Sequence, residues 1–210
     1  MSAAPAFLTL KTSGGEQGWA DAIANARGDV LAASPASAVT PLEPGTHHSG
    51  IVIARFAFAE DRDAFWVSAA AHADADPHLI ALATTGIPWE GWPGDLVPTI
   101  ATVDVPDAGA PRVFMVIEGT GTDQVRMDRY RDIILPMMRE RGSYYVAFEL
   151  GGNVKVLKGA WSEGIFAISR WPSRAHAEDF WFCDQYQKIA VPIRTGVGRF
   201  DVQIVEGLMA

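Results

Sequence analysis

The residues best suited to chemistry lie mostly in the second half of the chain, and they are a tyrosine, three arginines and two histidine positions. Tyr130 falls on the apolar face of a helical pattern with Met127, Ile134, Met137 and Met138. A phenol in that position must find a partner in the interior. It could serve as an acid or hydrogen-bond donor, or could simply be a core tyrosine bonded to a backbone carbonyl. Arg170 and Arg55 occupy equivalent strand ends, where a guanidinium can bind an anion or stabilise an enolate, or pair with a neighbouring acid. Arg194 follows the Tyr186 segment and could clamp a pocket. His176 sits in the first turns of a helix, where the dipole would favour the neutral base, although a solvent-facing histidine is the simpler reading. His47-His48 lie in a Pro/Gly-rich loop, and His48 is a second candidate for acid or base work.

Other patterns carry weaker chemistry. His72, Asp74, Asp76 and His78 alternate, so an extended backbone would put all four on one side, although an acidic helix end running into a loop explains them without a metal. No metal site is assigned. Trp161, Trp171, Trp181 and Trp66 suit a core or a ligand platform, and Trp89 and Trp92 in a Gly/Pro loop could form a lid or a brace. Met127, Met137 and Met138 give a helix face that can adapt to an apolar ligand. No nucleophile elbow, Walker loop or His-Glu-x-x-His occurs, Gly119-Thr120-Gly121 is too short for a dinucleotide fingerprint, and Cys183 on an apolar stretch is read as inert. These readings imply no cofactor.

The elements that must position these groups follow from periodicity. In the second half, Arg112–Glu118 reads as a strand, Asp123 caps the Tyr130 helix, and Pro136 is expected to kink it. Ser143–Leu150 and Val154–Leu157 are strands divided by Gly151-Gly152-Asn153. Gly164–Arg170 is a strand with Ile165, Ala167 and Ser169 on one face and Phe166, Ile168 and Arg170 on the other. Pro172-Ser173 opens the next helix, and Arg199–Val205 closes the half. The first half offers strands at Ala6–Leu10, Asp29–Ala33, Gly50–Phe58 and Leu79–Thr84, with helices at Glu16–Arg27, stopped by Gly28, and at Glu60–Ala71. Residues 34–49 read as a loop or irregular strand, Gly86–Pro98 as irregular, and Thr99–Val105 as an extra strand. Strand, helix, strand, strand, helix, strand is the ferredoxin-like order.

The two halves look like copies. Arg55-Phe56 precedes Phe65-Trp66 at the spacing by which Arg170-Trp171 precedes Phe180-Trp181, and both blocks open with Gly-Ile. With Pro106–Pro111 as linker, the expected organisation is a degenerate repeat over residues 1–105 and a clearer one over residues 106–210.

Length and charge bound the partners. The 210 residues suffice for one large domain or two of ordinary size. A formal net charge of −8, from 25 acidic and 17 basic residues without a basic stripe, argues against nucleic acid and anionic membranes. A single cysteine excludes an intrachain disulfide, and no apolar run has the length of a membrane span, so a soluble cytoplasmic protein is expected.

On these residues the second half resembles the dimeric α+β barrel superfamily, in its branch of small domains of unknown function. The likeness rests on Tyr130, Gly142, Gly159, Trp161, Trp171-Pro172-Ser173, Ala177, Tyr186-Gln187, Arg194 and Val205-Glu206-Gly207, and covers nearly all of Arg112–Gly207. Lys158 stands where that branch usually has an acid, and the first half lacks counterparts of Tyr186 and Arg194. The resemblance implies an α+β fold of two βαββαβ units packed sheet to sheet as an intrachain barrel, with further pairing into a homodimer left open. It also implies a small-molecule site in a cleft of the second unit. Met127, Trp161, Trp181, Tyr186 and Arg194 would bind substrate, and Tyr130, Arg170, His176 and His48 would act on it. The expected activity is cofactor-independent: proton transfer, isomerisation, cyclisation or monooxygenation. A non-catalytic binding or assembly protein is the alternative, and a haem enzyme liganded by a histidine such as His176 a third.

Overall fold

The computed structural model describes residues 5–43, 49–86, 113–150 and 153–208. The first half contributes β1 (Ala6–Thr12), α1 (Glu16–Asn25), β2 (Asp29–Ser34), a 3-10 turn (Ala36–Ala38), β3 (Thr40–Pro41), β4 (Gly50–Phe56), α2 (Ala59–Ser68), α3 (Ala70–Asp74) and β5 (Ile80–Thr85). The second contributes β6 (Val113–Gly119), α4 (Gln124–Glu140), β7 (Tyr144–Leu150), β8 (Lys155–Lys158) and β9 (Ile165–Trp171). It continues through α5 (Arg174–Phe182), a π-helical turn (Tyr186–Ala190), α6 (Val191–Arg194) and β10 (Phe200–Glu206). The expected lid tryptophans Trp89 and Trp92, the strand at Thr99–Val105, the linker and His47-His48 lie outside the described residues.

The strands form two antiparallel five-stranded sheets, ordered β2-β4-β1-β5-β8 and β7-β9-β6-β10-β3. The orders correspond strand for strand, and each sheet takes its last strand from the other half of the chain. β8 does not fold back on β7 across Gly151-Gly152-Asn153. It crosses to β5, pairing Val156 with Leu82, while β3 crosses to β10, pairing Thr40 with Ile204.

Alternation along the strands dictates how the sheets pack. Phe114 and Val116 of β6, Phe166 and Ile168 of β9, and Val205 of β10 meet Phe7, Ile51, Ile53 and Leu82 of the facing sheet in one core. A face that apolar must be buried, and the sheets cover each other. The seams close by an isolated bridge between Gly86 and Ala147, and by Ser34 Oγ donating to the Glu206 carbonyl at 2.9 Å. Leu208 N–H adds a bond to the Leu31 carbonyl, also at 2.9 Å. Inside the barrel Lys11 Nζ donates to Glu118 Oε2 at 2.5 Å, and Trp161 Nε1 donates to Glu118 Oε1 at 2.8 Å. This is the α+β barrel fold expected from the sequence.

The outer faces carry the helices, and local signals set their ends. Asp123 Oδ1 accepts the Arg126 N–H at 3.0 Å to start α4, and Ser173 Oγ accepts the His176 N–H to start α5. α4 runs through Pro136 to Glu140. Gly142, at φ 68°, then lets Ser143 N–H reach the Met138 carbonyl at 2.9 Å. At the end of α1 the left-handed residue is Arg27 (φ 63°), not Gly28. Gly28 is required for a different reason: a Cβ there would lie 2.6 Å from Ile23 Cγ2 and 2.9 Å from the Phe56 ring.

Register also refines the likeness between the halves. Arg55 pairs with Phe7 as Arg170 pairs with Phe114, so these arginines are equivalent. The Gly-Ile pairs are not, because Gly50 pairs with Thr12 whereas Ile165, one residue past Gly164, pairs with Gly119.

Candidate functional site

A cavity of about 440 Å³ lies between the second sheet and its helices. Its floor is the helix-facing set of β9, Ile165, Ala167 and Ser169 with Trp171, joined by Met115 and Ile117 of β6 and Val202 of β10. α4 forms a wall with residues recurring every three or four positions from Gln124 to Met138, a run of about 20 Å at the helical rise. Gly121, Gln124 and Leu150 are exposed and mark the mouth, while Met138, Trp171 and Phe180 are buried at the other end.

The polar groups gather on one wall. Tyr130 of α4 and Tyr186 of the π-helical turn place their hydroxyls 3.0 Å apart. Extra-wide turns of this kind interrupt helices where a side chain must be aimed, and here the turn brings Tyr186 against Trp181 and Phe180, with ring centroids 4.8 and 4.7 Å away. Arg194, at the end of α6, is only 8% exposed. Its guanidinium carbon lies 5.1–5.9 Å from the ring centres of Phe200, Trp181, Tyr130 and Tyr186. Arg126 holds α6 in place by donating from Nη2 to the carbonyls of Pro192 (3.1 Å) and Thr195 (2.9 Å).

Arg194 Nη2 donates to Glu43 Oε1, a residue of the first half that follows β3. Leu42, beside it, is anchored by its N–H on the Val202 carbonyl at 2.8 Å. Arg194 Nε is buried and has no hydrogen-bond partner among the described residues. A buried N–H without a partner is costly to keep, and the cost falls on a guanidinium that also lines the cavity, where its charge faces a ligand.

Electrostatics fix the protonation states. Burial pushes the Tyr186 phenol well above its usual range, and the adjacent Tyr130 adds to the effect while Arg194 opposes it. Burial raises Tyr130 too, again against the pull of Arg194 and of the Tyr186 hydrogen bond. Burial alone would lower Arg194; the tyrosines when ionised and the Glu43 carboxylate raise it, and with the phenols neutral it is Glu43 that holds the guanidinium charged. At neutral pH the wall therefore presents two neutral phenols, each able to donate or accept, and one cation that only donates.

The structure gathers five of the expected site residues, Tyr130, Met127, Trp181, Tyr186 and Arg194, on this cavity. His48 lies outside the described residues, and Arg170, Trp161 and His176 lie elsewhere. Arg170 points to the opposite face of the sheet, inside the barrel, where Nη1 donates to the Tyr144 hydroxyl at 2.5 Å. Trp161 also faces the barrel core. His176 is exposed on α5, with Nδ1 2.8 Å from Ser173 Oγ. The His72–His78 set is not extended: α3 and a turn run through it. Asp74 pairs with Lys158 at 2.8 Å, Asp76 accepts from Ser13 N–H at 2.9 Å, and the His72 ring meets Trp19 edge-on at 4.5 Å. No group of three metal-ligating residues occurs among the described residues.

Glu43, Tyr145, Phe180 and Phe200 are contributors that the sequence reading did not reach. Tyr145 and Phe200 were findable from strand alternation. Glu43 was not, because it sits in a Pro/Ser-rich segment remote in sequence from everything it touches.

Haem iron is held in proteins by histidine, alone or with a methionine as second ligand, by cysteinate or by tyrosinate. No histidine or cysteine lines the cavity among the described residues, and its two phenol hydroxyls are bonded to each other. The donor set does not fit that group.

No helix among the described residues is long and apolar enough to cross a membrane. A search of the curated proteins gives no match to the chain. Among solved structures, the dye-decolorizing protein from V. cholerae is similar at 9% identity and TM-score 0.53, covering 97% of this chain and 94% of that one. A mutant chlorite dismutase from Candidatus Nitrospira defluvii, in complex with cyanide, is similar at 10% identity and TM-score 0.50, covering 100% and 91%. An anthrone oxidase-like protein has 12% identity and TM-score 0.49, covering 98% and 91%. Likeness at this distance establishes the fold alone. Together with the two exchanged sheets it places the chain's architecture among the dimeric α+β barrels, and residues 112–208, the half that carries the cavity, match the family model described as Domain of unknown function (DUF1330).

Proposed function

We propose that the chain is a cofactor-independent enzyme acting on a small, largely apolar organic molecule that carries a hydroxyl or carbonyl oxygen. The carrying observation is a cavity apolar over most of its wall, whose buried polar cluster is two hydrogen-bonded phenols and a guanidinium paired with Glu43. Pockets of this composition take ligands by apolar burial and orient them by a few placed polar groups. The Arg194 guanidinium would hold the ligand oxygen. Tyr130 would donate a hydrogen bond as negative charge develops there, supported by the Tyr186 hydroxyl. Donors fixed in advance in a dry site stabilise an oxyanion more than water does. Enolate stabilisation is the step shared by isomerisation, cyclisation and cofactor-free oxygenation with dioxygen as the oxidant, and it is the chemistry assigned here, the α-proton passing to water at the cavity mouth. The first half is taken as a degenerate copy that closes the barrel and has lost the site.

A second reading, binding without turnover, draws support from Asp128, the carboxylate on the cavity wall, which accepts from Arg131 Nη1 at 2.9 Å and from Gln124 at 2.9 Å. A carboxylate so engaged is a poor base. Titrating 2-naphthol and naphthalene into the protein, followed by tryptophan fluorescence, tests occupancy. The hydroxyl-bearing ring should bind at least tenfold more tightly, and equal binding would remove Arg194 and the tyrosines from the site. Hydrogen exchange into an enolisable ketone bearing the same ring then separates catalysis from binding.

A further inference from the structure

We propose that Glu43, supplied by the first half of the chain, is a specificity-determining positioning residue that makes the cavity select neutral oxygen-bearing ligands over carboxylates and other anions. This rests on the occupancy reading above and sharpens its substrate class.

A buried arginine facing a cavity ordinarily recruits an anion, because a desolvated cation seeks a counter-charge. Here the counter-charge is already present. Arg194 and Glu43 are paired, with side chains only 9% and 19% exposed, so the pair is shielded from solvent. The carboxylate takes the Nη2 edge of a guanidinium that lines the cavity, so the charge a ligand meets there is already answered. The phenols that share the wall stay neutral. Arg131, the other arginine lining the cavity, is likewise answered, by Asp128 and Asp132. The lining thus offers hydrogen bonds without an excess of positive charge. A neutral hydroxyl or carbonyl meets a donor there, whereas a carboxylate would lose its hydration shell and face Glu43 across one guanidinium.

Glu43 comes from outside residues 112–208, the part that matches the family model. It reaches the site because β3 crosses to β10 and carries the following residues along the cavity-bearing sheet, Leu42 being fixed on Val202. The exchanged strand therefore sets the charge of a site that the other half builds.

The test uses the full chain and two probes of one ring size, 2-naphthol and 2-naphthoate, titrated at pH 7 into wild type, Glu43→Gln and Glu43→Asp. Wild type should prefer naphthol by at least tenfold. Glu43→Gln keeps a hydrogen-bond acceptor and removes the charge, so naphthoate should gain at least tenfold with naphthol changed by no more than about threefold; Glu43→Asp should restore the wild-type ratio. A structural role alone would weaken both probes together and leave their ratio fixed, and that outcome overturns the proposal. Equal binding of the two probes to wild type overturns it too, and needs no variant to fold. Failure of both probes to bind any of the proteins sinks the occupancy reading and this inference with it, a pattern distinct from an unchanged ratio.

Discussion

The two helix-covered faces of this barrel share a sheet order and differ in what lies beneath the helices. On the first face Trp19 of α1 stacks on Trp66 of α2 with centroids 6.2 Å apart and planes 9° from parallel, and meets Phe65 and His72 edge-on. Phe56, Ile23 and Leu79 fill the remainder. On the second face the equivalent of Phe65-Trp66, Phe180-Trp181, packs against Tyr186 instead. The longer α4 presents methionines, Ile134 and Tyr130 to a space of about 440 Å³. One tryptophan closes the first face, and its absence from α4 leaves the second one hollow. The same sheet order thus backs a tryptophan-packed core on one side and the cavity on the other, and the contrast lies in the side chains that α1 and α4 present.

Removing that tryptophan gives the largest expected effect. Trp19→Ala should cost about 3–5 kcal/mol in urea unfolding, the usual loss for a buried aromatic, while leaving naphthol affinity unchanged because the two faces are separated by the barrel. A concurrent loss of binding would show that the faces are coupled. On the hollow side, Tyr186→Phe should lower naphthol affinity about tenfold, near 1.4 kcal/mol, with a stability change of about 1 kcal/mol from the lost hydroxyl pair. If binding is unaffected, the hydroxyl pair plays no part in recognition.

The pH dependence follows from the same wall. Tyr130 and Tyr186 both have folded pKa values raised above the unfolded value, so their contribution is fully present below the unfolded phenol pKa and is lost as pH rises through the folded ones. Stability and naphthol binding should hold flat across neutral pH on their account, and stability should begin to fall only above about pH 10, where the unfolded phenols ionise. A phenolate signal in the ultraviolet spectrum of the folded protein near neutrality would contradict this. The smallest effect belongs to His176→Ala. The residue is exposed on α5, so stability should move by less than about 0.5 kcal/mol and naphthol affinity not at all.

Much of this arrangement was legible in the residues, for physical reasons that also mark where legibility ended. Period-two alternation along β9 put Ala167 and Ser169 opposite Phe166, Ile168 and Arg170, and the structure keeps that division. The same division is why Arg170 is not at the cavity. It shares a strand with the floor but points through the sheet, a consequence available from its even-numbered position. Tyr130, Tyr186 and Arg194 came from helical spacing and from the family likeness. Their convergence depends on the π-helical turn, which has no simple sequence signal. His176 followed the helix start correctly, as the residue whose N–H Ser173 caps, and faces outward. Strand exchange was hidden altogether. β3 is two residues long and β8 is four, too short for periodicity, and their partners are far away in sequence. Glu43 entered the site through that exchange, so it was hidden for the same reason.

The most direct test is a crystal structure of the protein with bound 2-naphthol. The ring should lie in the second-half cavity over Ala167 with its oxygen within hydrogen-bonding distance of the Arg194 guanidinium and beside the Tyr130 hydroxyl, and the first face should remain filled by Trp19. A ring found in the barrel interior near Arg170, or bound with its oxygen directed away from Arg194, would contradict the assignment.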